Sequence, residues 1–505
     1  MKTASTSVPT LHSPPGDPGP RHARTMRPLL TFLFAFGIAF GASAQPREAE
    51  PAVDGNQAKK NAVDGHVVEG DVLDGIAVEA PLDTQATEGR ALPAASAAEG
   101  SNPQPDVTVT SPDGTAGLRF AEWLKPLRVS LRHEGSYKFA PPTRLVNNRS
   151  SVQVEYAKLL APSLYLRLDT KLNLHWPNDH RAKANDKDLF LELLPRETYL
   201  QGSFGKTSFR LGYQILPWGI SEAGAITDEI SPRNASEFFF VSLEESRIGQ
   251  PMLTMDRFSH VGQWTGFFVP RPSYNRYPDR NSEYDIPGAF DAPQPKRRWD
   301  DPADYEYGLR WQRTFGKSDL SLMTASLIDN DYIVRKQRFS MYGLTANIAK
   351  ENLLFRAEAA LKTPKALFAR SADGIGTTIV ESDQFDASFG FDYSPGGRSL
   401  MYSAEVVLNH LLDWQHNTIG RVKDEYSLVG RVSNRFRHDD LSITWLTIYN
   451  QTYNSLQNKF LSSFRINDNS SVYFEVFYPY VRDRRSGSWP YRDEKQLVIR
   501  HQYQF

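Results

Sequence analysis

The chain has 505 residues and a formal net charge of −1, with 58 Lys and Arg against 59 Asp and Glu, a balance that gives no support to a nucleic-acid partner. There is no cysteine, which removes disulfides, thiolate metal sites and cysteine nucleophiles together. Mean hydropathy is −0.49, and past the N-terminal region no apolar run reaches the roughly 20 residues of a membrane helix; this excludes a helical membrane protein but not a β-barrel, whose inward polar residues dilute the signal.

Residues 1–44 read as an address. Residues 1–25 are rich in Pro, Ser, Thr and Arg and look like an over-called start. Arg21, Arg24 and Arg27 then flank an apolar core from Leu29 to Phe40, too short to span a bilayer, and Ala42-Ser43-Ala44 offers a small-x-small cleavage site. Cleavage after Ala44 and export are expected. Residues 45–120 are rich in Ala, Asp, Glu, Gly and Pro and carry a short Asp-Gly repeat at Asp54-Gly55, Asp64-Gly65 and Asp74-Gly75. Units that short bury no core, so a disordered periplasmic tether is expected.

From 121 to 505 the chain alternates. Leu164, Leu166, Leu168, Leu172, Leu174 and Trp176 share one face, and Arg167, Asp169, Lys171, Asn173 and His175 the other. The same pattern recurs at Val129–Phe139, Val152–Tyr156, Phe209–Ile215, Tyr305–Phe315, Phe385–Tyr393, Tyr426–Phe436, Leu441–Tyr449 and Val472–Tyr480. Turn chemistry separates pairs of strands at 161–163, 205–206, 316–318, 350–352, 395–397, 438–440 and 467–469. Longer polar segments lie between them at 177–187, 216–251, 271–303, 363–380, 410–424 and 481–492. Short turns on one rim and long loops on the other predict an all-β fold, a transmembrane antiparallel up-and-down barrel of about 18 strands, with 16 as the alternative. Lipid offers the backbone no hydrogen-bond partner, so only a closed ladder can sit in it, and the charged faces then require a watery lumen.

The segment after Ile215 is long and unusual. It carries Trp218-Gly219, then Asp228-x-Ile230-x-Pro232-Arg233, then the apolar stretch 238–243. Folded into the lumen, its charges Asp228, Glu229, Arg233, Glu237, Glu244, Glu245 and Arg247 would set a constriction; folded as a lid, they would pair among themselves. The inward wall adds Arg167, Lys171, Arg210, Arg310, Arg356, Arg431 and Arg435, together with Arg132, Lys138, Arg465 and Arg500, against Glu134, Glu155, Asp169, Glu306, Glu358, Asp386, Glu405 and Glu475. The basic excess points to anionic solutes, while pairing across neighbouring strands is the alternative. Trp176, Trp311, Trp445 and Tyr480, with Trp218, Trp264, Trp299, Trp414 and Trp489, suit the membrane rim. Lys296-Arg297-Arg298 and Arg482, Arg484 and Arg485 fall on outer loops, within reach of lipopolysaccharide phosphates.

The last strand places Leu497, Ile499, His501, Tyr503 and Phe505 on one face. With its terminal Phe it resembles the C-terminal signal of Gram-negative outer-membrane β-barrel proteins, although His501 stands where an apolar residue is commoner. That resemblance implies an outer-membrane location, contact with outer-membrane lipid and lipopolysaccharide, and reading of Tyr503 and Phe505 by the barrel-assembly machinery. The Trp-Gly and Asp-x-Ile-x-Pro-Arg pattern is similar to one in proteobacterial outer-membrane barrels and brings no substrate with it. A porin-like barrel implies a channel for small hydrophilic solutes, with anions favoured by the basic excess. An alginate-export-like barrel, also of about 18 strands with a basic lumen, implies export of an acidic polysaccharide. A plugged structural or adhesion barrel is the third possibility. No cofactor, metal or catalytic residue is expected, because no Gly-x-Ser-x-Gly or His-Glu-x-x-His occurs and the histidines lack ligand spacing. A barrel lipase would need a Ser and a His on adjacent outward strands.

Overall fold

The computed structural model describes residues 123–505, with 223, 225, 238–245, 373, 375, 397 and 398 excepted. The expected signal peptide, cleavage site and tether lie outside the described residues, as do Glu244, Glu245 and the stretch 238–243.

The described chain forms one sheet of 18 antiparallel strands. They are β1 (Leu127–Lys138), β2 (Arg144–Ala161), β3 (Leu164–His175), β4 (Phe190–Phe204), β5 (Thr207–Gln214), β6 (Gln250–Ser259), β7 (Gly262–Val269), β8 (Glu306–Phe315), β9 (Ser318–Ile328), β10 (Arg338–Lys350), β11 (Leu353–Arg370), β12 (Thr377–Tyr393), β13 (Met401–Leu411), β14 (Asp424–Phe436), β15 (Leu441–Asn450), β16 (Ser455–Asn467), β17 (Ser470–Val481) and β18 (Gln496–Gln504). Each pairs with its neighbour in sequence, and β18 pairs back onto β1 with His501 opposite His133 and Gln496 opposite Lys138. The ladder therefore has no edge, and every strand finds its backbone partners inside the wall.

The connections after even-numbered strands are short, for example 162–163, 205–206, 316–317 and 468–469. Those after odd-numbered strands include the long ones, 176–189, 215–249, 270–305, 412–423 and 482–495. The expected long loop at 363–380 is corrected. There β11 and β12 keep pairing, Lys365 opposite Ser382 through Arg370 opposite Thr377, and only 371–376 connects them. Polar composition misled here, because Leu367 and Phe368 pack with Val334 and Leu411 as an apolar cluster on the extended hairpin.

The exterior is apolar. Leu193, Leu211, Tyr307 and Trp445 point outward and are more than half exposed, a surface suited to acyl chains. The closing seam is an exception: His133 bonds Ser150 at 3.0 Å, Trp176 donates to Ser150 at 3.0 Å, and Ser470 bonds His501 at 2.9 Å.

The interior departs from the expected wet wall. Met252, Phe267, Val269, Met323, Leu327, Phe339, Met341, Leu446, Ile448, Phe477 and Val498 point inward and are buried. They form one apolar cluster with Leu216, Trp218, Ile226 and Ile230 of segment 215–249, Tyr284 of 270–305 and Tyr491 of 482–495. Each fully buried Leu, Ile, Phe or Met contributes roughly 1.5–3 kcal/mol. The long connections fold in because their apolar residues find partners there.

Candidate functional site

Segment 215–249 leaves β5 and reaches the opposite wall. Glu358, buried on β11, accepts the backbone N–H groups of Ile220 and Ser221 at 2.7 and 2.8 Å on one oxygen. Its other oxygen accepts the N–H and hydroxyl of Thr227 at 2.7 and 2.6 Å. Glu405 on β13 takes the Ser221 hydroxyl and, at 2.9 Å, the Glu222 N–H. Glu222 is gripped in turn by Arg356 of β11 at 3.1 Å and Arg431 of β14 at 2.8 Å. Arriving without side-chain donors of its own at most of these contacts, the segment presents backbone N–H groups, and the wall supplies buried carboxylates to receive them.

The Trp-Gly and Asp-x-Ile-x-Pro-Arg pattern is the framework of this crossing. Trp218 is buried edge-on against Phe267 at 5.2 Å, which corrects its expected place at the membrane rim. Gly219 passes so close to the opposite limb that an added Cβ would stand 2.9 Å from Cβ of Asp228 and 3.1 Å from the Glu358 carboxylate. Asp228 draws in Arg233 at 2.9 Å and Arg247 at 3.0 Å, pinning the outgoing limb to the returning one. Ser231 accepts Leu216 N–H at 2.9 Å, and Pro232 accepts Ile248 N–H at 2.7 Å.

The return limb is anchored on the near wall. Glu237 pairs with Arg149 of β2 and lies 3.5 Å from His180. Burial pushes the Glu237 carboxyl up, but Arg149 and His180 outweigh it and hold the group well below the usual carboxylate range. Glu229 bonds Lys362 and is likewise held down by Lys362 and Lys365 against the pull of burial. The short helix α1 (His180–Ala184), capped by Asp179, places Arg181 on Glu192 at 2.7 Å and on Asp279 at 3.0 Å. His175 bonds Asp179 at 3.0 Å and Glu192 at 3.1 Å.

Between this crossing and the wall of β2 to β4 lies a cavity of about 520 Å³. Arg149, Lys171, Arg181, Arg196, Arg247, Arg276 and Arg297 line it against Glu192 and Glu237. Most of these cations also hold carboxylates, as Arg196 does with Asp169 at 3.3 Å and Arg276 with Glu192.

Of the residues expected at the constriction, Asp228, Glu229, Arg233, Glu237 and Arg247 are brought together on the crossing, and Lys171 faces the cavity. Arg356 and Arg431 serve as its anchors. Arg167 pairs along the wall with Glu155 at 3.3 Å, and Arg210 with Asp256 at 3.2 Å. Arg310 bonds Gln312 at 2.9 Å and Ser321 at 3.1 Å, and Arg435 sits at the short-turn rim with Asp439 at 3.5 Å. Pairing across the wall is thus the common state. Trp176, Trp445 and Tyr480 face outward and are exposed, and Trp311 lies tilted beside the exposed Trp264 at 6.5 Å. Arg297 turns into the cavity rather than out toward lipid headgroups. Sequence reasoning missed Arg149 and Glu192. Both were detectable: Arg149 shares the inward phase of Ser151 and Gln153, and Glu192 stands alone among Leu191, Leu193 and Leu194. Arg181 lies on a helix of only five residues and Arg276 on an irregular segment, and neither is long enough for periodicity to signal orientation.

A closed ladder, an apolar exterior and an inward-folded segment belong together. The chain is a transmembrane β-barrel of the outer-membrane type.

No protein-family model matches the sequence, and no curated protein matches it. Among solved structures, the chain is similar to OccK8 (OprE) of Pseudomonas aeruginosa, with a TM-score of 0.47 and 10% identity over 75% of this chain and 98% of that one. It is similar to OpdL of the same organism, with a TM-score of 0.45 and 10% identity over 75% and 98% of the two chains. It is also similar to OccAB2 of Acinetobacter baumannii, with a TM-score of 0.44 and 10% identity over 75% and 97%.

Proposed function

We propose that the protein is an outer-membrane channel for small hydrophilic solutes, with a preference for anions. The observation that carries this is the cavity of about 520 Å³ between the crossing segment and the β2–β4 wall, whose charged lining is seven cations against two acids. A solute of that size would pass where the crossing narrows the lumen, among Lys171, Arg196 and Arg247. The same proposal takes in cleavage after Ala44, a periplasmic tether over 45–120, lipopolysaccharide around the outer rim, and recognition of Tyr503 and Phe505 by the assembly machinery.

We read the barrel as a conduit rather than an enzyme. A lipase would have to use His133 with Ser150 or His501 with Ser470, which do meet on outward faces at 3.0 and 2.9 Å. Among the described residues neither imidazole has a carboxylate partner to orient it. A plugged structural barrel draws support from the apolar cluster that welds the long segments inside the wall. Export of a polysaccharide draws none from a lumen crossed in this way.

Planar-bilayer recording separates these readings. Steady conductance in KCl, with a reversal potential favouring chloride in a salt gradient, is expected. Absent conductance would leave the plugged barrel standing.

A further inference from the structure

Segment 270–305 holds two arginines that, unlike Arg149, Arg181, Arg196, Arg247 and Arg276 around the cavity, have no acid. Among the described residues Arg271 and Arg297 make no ion pair, and Nε of Arg271 is buried without a hydrogen-bond partner. The nearby acids are taken: Asp304 by Lys336, and Asp300 by Arg298 at 3.1 Å. Each guanidinium lies instead over an aromatic ring, Arg271 over Trp299 at 5.4 Å and Arg297 over Tyr274 at 5.9 Å. Arg297 finds Gln294 Oε1 at 3.0 Å, and its proton affinity is lowered first by burial and then by Arg271. Arg271 stacks on the residue two beyond Arg297, and Tyr274 under Arg297 is three beyond Arg271, so two partly buried like charges share one neighbourhood, repel each other and leave donors unsatisfied. An oxyanion bound by both removes both costs, and the ring beneath each guanidinium restricts where its donors can point.

The geometry points to Arg271 and Arg297 as a capture site for a carboxylate-bearing hydrophilic solute at the outer mouth of the cavity. It rests on the channel proposed above and names the chemical class that channel would take. Arg297 and Tyr274 line the cavity, whereas Trp299 is half exposed on the long-loop side. A solute held here is handed inward past Lys171 to Arg196, which is already shared with Asp169 at 3.3 Å and holds it less tightly. The half-exposed indole of Trp299 offers an apolar face beside the charge, which suits a sugar acid better than a bare inorganic ion.

The test uses galacturonate, with galactose and inorganic phosphate as comparisons, on the whole folded protein. Tryptophan fluorescence is titrated with each compound, and Trp299→Phe assigns the responding signal. Galacturonate is expected to give a saturable change that galactose does not. Arg271→Gln and Arg297→Gln should each weaken it by roughly tenfold or more, as befits loss of a charge-assisted contact. Arg297→Lys, which keeps the charge but loses the fork, should fall between, and Lys296→Gln should match the parent. Equal responses to galactose and galacturonate, or affinities within about twofold in both Gln variants, would overturn the site. Phosphate binding as tightly as galacturonate would overturn the carboxylate-solute assignment. Conductance is recorded separately: a barrel that binds galacturonate but passes no current refutes the channel and leaves the site intact.

Discussion

Glu358 and Thr227 meet across the lumen, with the backbone N–H and the hydroxyl of Thr227 donating to the same carboxylate oxygen at 2.7 and 2.6 Å. The other oxygen holds Ile220 and Ser221, so one buried side chain on β11 satisfies four donors of a segment rooted at β5. A segment held this way divides the lumen instead of lying along one wall.

Glu358→Ala should loosen that crossing. Each orphaned donor costs roughly 1–3 kcal/mol, enough to let 220–227 leave the wall while the closed strand ladder persists. Single-channel recordings are expected to show larger and noisier steps than the parent. An unchanged conductance with unchanged noise would mean that the crossing does not limit flow.

Lys171→Gln removes one charge from the cavity wall. A unit charge acts with about 1 kcal/mol at about 4 Å in water, or about fivefold in local anion concentration. Reversal potentials in a KCl gradient should shift toward cations, and the shift should shrink as salt rises.

Asp331 lies in the connection 329–337, where burial, helped by Asp329, pushes its carboxyl from 3.8 up to about 7. The folded state therefore holds a proton that the unfolded chain has lost between these two values. Stability of this connection is greatest below about pH 4 and falls as pH rises to about 7, by up to about 4 kcal/mol at about 1.4 kcal/mol per unit. Asp331→Asn should raise hydrogen-exchange protection of 329–337 at pH 8, and the gain should vanish near pH 4.

Phe505 donates its N–H to Val129 O at 2.9 Å and stacks edge-on with Tyr503 at 4.8 Å, on the outward face beside the closing seam. Deleting Phe505 is expected to cut the amount of folded, heat-modifiable barrel in outer-membrane fractions several-fold. The purified residue, once folded, should conduct like the parent. Normal yields would remove the assembly role proposed for the last strand.

Much of the fold was legible because a strand records its two surroundings every second residue. Leu164 to His175 announces lipid on one side and polar lumen on the other, and the 18-strand count follows from repeating that signal. It failed where both faces are apolar. Phe267, Phe339 and Phe477 point inward because loops cover them, a fact no single strand encodes. Residue type alone points Trp218 to the rim, although the Trp-Gly spacing marks its segment as unusual.

Periodicity, turn chemistry and the missing cysteines were thus enough to settle a lipid-facing cylinder, because those properties are local and repeat along the chain. Which charges meet was decided only in three dimensions. Glu358 finds Thr227, Glu222 finds Arg431, and Arg271 and Arg297 lie over Trp299 and Tyr274 instead of on acids, because contacts across a lumen join residues whose separation in sequence carries no periodic trace.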